Sequence, residues 1–205
     1  MSDLFKSLMT STKTLATKIQ DPVRRSQIND AFAVAEATME RFTREIDAIR
    51  SNPNLTVEGK YSARQEITED TRAKLAELKR PLARLEERAA EIRASAGKKT
   101  APDNEVLEFL RQKEIRDHYK SDPMVEQRYA RAIESGENLE IAESLEASPV
   151  PPAFVTDDTR AKTAMHRLAA ADPAAASTLS DIKLFSQVLN STLDAASTSI
   201  NQQTT

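Results

Sequence analysis

The chain has 205 residues, no cysteine, no tryptophan, three glycines, 4% aromatic and 30% charged residues. That composition excludes disulfides, thiolate catalysis and zinc–thiolate sites, and it supplies too few rings for one thick core. It is the profile of long helices and coiled coils. The net charge of −3 selects no partner, but residues 51–100 carry 11 Lys+Arg against 8 Asp+Glu and residues 101–150 carry 6 against 12, as solvated helix faces of opposite sign do.

Residues 1–20 predict an N-terminal amphipathic helix on Leu4, Leu8, Leu15 and Ile19. No secretory signal is expected, because Met1 to Lys6 lack a basic stretch followed by an apolar core. Asp21-Pro22 then reads as a carboxylate N-cap followed by proline at the first helical position, where the missing N–H costs nothing. The same pair recurs at Asp122-Pro123 and Asp172-Pro173 and predicts two further helix starts.

Residues 21–97 carry the strongest pattern. Ile28, Phe32, Ala35, Met39, Phe42, Ile46 and Ile49 are spaced alternately by 4 and 3, and Leu75, Leu78, Leu82, Leu85, Ala89, Ile92 and Ala96 by 3 and 4. Such alternation holds a narrow apolar seam on one side of a helix. Ser51 to Thr56 is a short turn-forming stretch, so the two seam helices are predicted to fold back as a long antiparallel coiled-coil hairpin. Thr56 is the expected N-cap of the second helix and Glu58 favours its dipole. Gly97 is the expected left-handed terminator. Pro81 interrupts the second helix while the heptad phase runs on, which predicts a kink. Arg64 and Thr68 make the seam weaker near the turn.

Residues 98–102 read as a linker, and 103–147 as a subdomain of short helices. The first of these carries an apolar face of Val106, Leu107, Phe109, Leu110 and Ile115; the second is closed by Gly136. Glu134, Glu137, Glu140, Glu143 and Glu146 recur every third residue, so they wind around the rod by about 60° per step and form no single acidic face. The proline-rich stretch 148–155 is the expected subdomain boundary. Residues 156–205 predict C-terminal helices. The last is amphipathic on Leu179, Ile182, Phe185, Leu189, Leu193 and Ile200, and ends in a polar frayed tail. The fold class is all-α.

No motif for chemistry emerges. His118 has Glu114 four residues before it, but neither His118 nor His166 belongs to a Glu-x-x-His or His-Glu-x-x-His motif. Gly59, Gly97 and Gly136 stand alone, which rules out phosphate-cradling loops, and there is no Gly-x-Ser-x-Gly elbow. The basic run Lys74, Lys79, Arg80, Arg84, Arg88 and Arg93 is interleaved with Glu77, Glu86, Glu87 and Glu91 and has no stacking aromatic, which argues against nucleic acid. No 18-residue apolar run exists, and Lys183 is the only cation of the last helix, which argues against a membrane. Neither a cofactor, a metal nor a small-molecule substrate is expected.

Asn54-Leu55-Thr56-Val57-Glu58-Gly59-Lys60, opening a long charged helix, resembles a turn-and-helix entry of small helical proteins of tailed bacteriophages. The likeness spans residues 54–96 and implies a virion or morphogenesis component in the virion or host cytoplasm. No strongly basic C-terminal helix, of the kind scaffolding proteins use on a capsid shell, is present. The expectation is a non-enzymatic structural or assembly protein whose seam and C-terminal stripe are completed by self-association or by other virion proteins. The alternative is a cytoplasmic bacterial adaptor or secretion-associated protein clasping a heterologous partner.

Overall fold

The structure, a computed structural model, describes residues 3–97 and 105–204. The side chains of Leu4 and Ala96, the cap expected at Gly97, the linker over 98–102 and the helix start at Asp103 lie outside what it describes. Among the described residues the chain is all-helical, without a strand. The helices are α1 (Asp3–Ala16), α2 (Pro22–Ser51), α3 (Val57–Glu77), α4 (Arg80–Gly97), α5 (Glu105–Tyr119), α6 (Val125–Ser135), α7 (Leu139–Glu146), α8 (Asp157–Ala171) and α9 (Pro173–Thr204). They divide into two compact units. One holds the described residues up to Ala90 and those from Thr178 on; the other runs from Glu91 to Ser177.

In the first unit, α2 starts where Asp21 accepts the N–H groups of Val23 and Arg24, with Pro22 leading the helix. Thr56 caps α3 by accepting from Gly59 N. Helices α2 and α3 pack against each other across the connection 52–56, where Lys60 Nζ donates to the Arg50 carbonyl at 3.0 Å. Pro81 bends the long helix as its ring requires. Having no N–H, it cannot bond the Glu77 carbonyl, and the chain passes from α3 to α4 through i→i−3 bonds from Leu78 N to Leu75 O and from Leu82 N to Lys79 O. Helix α3 also buries polar side chains: Thr68 and Thr71 are buried, and the Thr68 hydroxyl donates to the Arg64 carbonyl of its own helix at 2.7 Å.

The core of this unit joins more helices than two. Phe5, Met9 and Ile19 at the N-terminus, the α2 seam from Ile28 to Ile46, Leu75 and Leu82, and Phe185, Leu189, Leu193 and Ile200 of α9 form one apolar cluster, with Leu78 and Leu85 at its margin. Three apolar stripes that the sequence leaves open are thus closed on one another inside the chain. The expected frayed tail is helical through Thr204, and Arg72 Nη2 donates to Asn201 Oδ1 at 2.9 Å.

The second unit is smaller. Tyr129 and Ile133 of α6 pack with Ala142 and Leu145 of α7. Tyr129 lies beside the Phe154 ring, centroids 5.2 Å apart. Its hydroxyl donates to Thr159 Oγ1 at 2.7 Å, and Thr163, fully buried, donates to Glu146 Oε1 at 2.7 Å. Arg167 of α8 pairs with Glu143 of α7. Burial pushes the Tyr129 hydroxyl above its ordinary pKa, as desolvation of the phenolate requires.

Three boundary expectations are corrected here. The proline-rich stretch 148–155 does not separate subdomains, because Phe154 and Val155 pack on the α6–α7 core and α8 caps itself at Thr156 within the same unit. The C-terminal helices therefore do not form one module: α8 belongs to the second unit and most of α9 to the first. Asp122-Pro123 does not cap α6 directly. The Asp122 carboxylate takes the Met124 N–H at 2.8 Å and Arg128 Nε at 2.8 Å, and the helix starts at Val125. The Met124 N–H, then Arg128, hold that carboxyl below its ordinary pKa.

Gly136 ends α6 in the left-handed region at φ 73°. A Cβ there would sit 2.7 Å from His166 Nδ1, while His166 Nε2 donates to the Ile133 carbonyl at 2.8 Å. Gly136→Ala is therefore expected to destabilise the second unit by roughly 2–3 kcal/mol, one part from the left-handed backbone and one from the displaced imidazole. Urea unfolding followed by the near-ultraviolet signal of Tyr129 measures it; a loss below about 1 kcal/mol would show that the cap tolerates a side chain.

Candidate interaction surface

The seam and the C-terminal stripe, the surfaces that periodicity predicts to meet partners, are buried within the chain. Ile28, Phe32, Met39, Phe42, Ile46, Ile49, Leu75, Leu82 and Ile92 are buried, as are Leu179, Ile182, Phe185, Leu189, Leu193 and Ile200. Leu78 and Leu85 are partly covered. Burying a leucine or phenylalanine is worth roughly 1.5–3 kcal/mol, so the chain satisfies these stripes itself and they offer no open face. This corrects the premise that a stripe must wait for a partner: α9, read in isolation as spare, fills the space beside α1 to α4.

The open apolar face lies on α5. Val106, Leu107, Phe109 and Leu110 are 67, 61, 58 and 51% exposed. On a helical wheel they span an arc of about 160°. The half-covered positions of α5 are Glu108, Gln112, Ile115, Arg116 and Tyr119, which fall within about 100° on the other side. Helix α5 packs on α7, with two arginines bonded across the contact. Arg116 Nη1 donates to the Ser144 carbonyl at 3.1 Å, and Arg111 Nη2 pairs with Glu140 Oε2 at 2.5 Å. Gln112 Nε2 donates to Glu108 Oε1 at 3.0 Å, one turn apart on the covered side.

The amphipathicity of α5 is thus inverted over its first turns. A helix that buries its apolar face gains stability from that burial; here the covered side is mixed, with Glu108, Gln112 and Arg116 beside Ile115 and Tyr119, and the four apolar side chains from Val106 to Leu110 face out. Single exposed apolar side chains are ordinary, but four large ones on five consecutive positions form a patch on the order of 300–400 Å², a size that marks contact sites on folded monomers. The amphipathic pattern of α5 is legible in the sequence; its direction is not. The hint of it is Glu108, Gln112 and Arg116, spaced by 4, a polar stripe able to bond with its neighbours.

Elsewhere, among the described residues, polar grooves open on the surface. One, lined by Tyr61, Arg64, Gln65, Thr68, Glu69, Arg72 and Thr204, encloses about 250 Å³. Another, at the α6–α7 turn, includes Arg128, Arg131 and Asn138 and encloses about 290 Å³. In the first, Arg72 is already committed to Asn201 and Arg64 Nε to the Lys60 carbonyl. In the second, Arg128 is committed to Asp122. Among the described residues no three His, Asp or Glu side chains converge as a metal site would require, and no helix is long and apolar enough to cross a membrane. The chain matches no protein-family model, no curated protein and no solved structure.

Proposed function

We propose that the chain is a non-catalytic structural or assembly protein that works through helix–helix contacts, in the class of tailed-phage virion or morphogenesis components that its Asn54–Lys60 turn resembles. The observation that carries this reading is the outward apolar face of α5, on a chain whose other stripes are closed internally. A patch of this size contributes through contact area and helical shape. In this reading α2 and α3–α4 form an antiparallel coiled-coil hairpin, clasped by α1 and α9, that serves as a rigid carrier. Lys13 bonded to Glu36 at 2.6 Å and Asp181 bonded to the α1–α2 corner at 2.8–2.9 Å support that rigidity.

The test is sedimentation of a tagged chain produced together with its genomic neighbours. Co-sedimentation with large particles, lost in Phe109→Asp, is the expected result. A chain that stays in slow fractions, or that sediments with one small partner in a fixed ratio, overturns the assembly reading; the second outcome favours an adaptor.

A further inference from the structure

We draw no further inference here: the strongest candidate, the exposed apolar patch that Val106, Leu107, Phe109 and Leu110 form on α5, carries none because nothing in the structure shows what covers it.

Discussion

Asp181→Ala is expected to lower the stability of the first unit by about 2–4 kcal/mol, an unusual cost for a polar residue on a helix. Asp181 is 3% exposed. Its Oδ1 accepts the Gln20 N–H at 2.9 Å and its Oδ2 the Asp21 N–H at 2.8 Å, so one carboxylate on α9 holds the corner where α1 gives way to α2. The positive end of the α2 dipole stabilises the charge there. The same corner is tied a second time, by Arg25 Nε donating to the Ile19 carbonyl at 2.9 Å. Two bonds to a charged acceptor are worth about 1.5–3 kcal/mol each. Relief of carboxylate desolvation, and access of water to the exposed Gln20 once the clamp is gone, bring the net below their sum. Asp181→Asn keeps one acceptor and turns an amide N–H₂ toward the second N–H, so it should lose more than half as much as alanine does. Urea unfolding gives the magnitude, and amide exchange of a peptide covering residues 17–24 gives the place. An alanine variant within 1 kcal/mol of wild type, with unchanged exchange at that corner, would show that Asp181 does not clamp it.

Nothing in the sequence singles out Asp181. It stands between apolar positions and looks like the solvated side of an amphipathic helix; its partners are about 160 residues away. Contacts of that range explain most of what the sequence hides. Asp21-Pro22, Thr56 and Asp172-Pro173 are legible because each bonds backbone groups within three residues: Asp172 Oδ1, for instance, accepts the Ala175 N–H at 2.9 Å. The Pro81 bend is legible because a missing N–H is a local fact. The division into units is not, because it depends on residues from Thr178 on returning to the N-terminal helices. The proline-rich stretch misleads for a related reason, since local stiffness says nothing about Phe154 finding Tyr129. Periodicity shows that α5 has an apolar face; only the bonds of Arg111 and Arg116 to α7 show that this face is left outside.

Phe185→Ala is expected to lower the stability of the first unit by about 3–5 kcal/mol, the range for deleting a buried aromatic side chain from a packed core. For a unit of roughly this size that is a drop in melting temperature on the order of 10–20 °C. Phe185 is 1% exposed and lies in the cluster that contains Phe32, Phe42 and Leu82. It sits one helical turn after Asp181, so the polar clamp and the apolar wedge act on the same stretch of α9. Phe185→Leu refills most of the volume and should cost only about 1–1.5 kcal/mol. That difference separates a cavity from a general disturbance of the helix, which would tax both variants alike. The comparison also decides between two accounts of the amphipathic C-terminal stripe. If α9 waited for a partner, the isolated chain would leave Phe185 in water, and its removal would be nearly neutral or would raise solubility. If α9 is the element that closes the seam of α2 against α3 and α4, the isolated chain bears the full cost, and a chain ending at Ser177 would expose the face that α9 covers, lose cooperative unfolding and associate through it. A Phe185→Ala variant that melts within 1 kcal/mol of wild type would return the seam to the category of surfaces that need a second molecule, and α5 would lose its standing as the principal apolar face left for one.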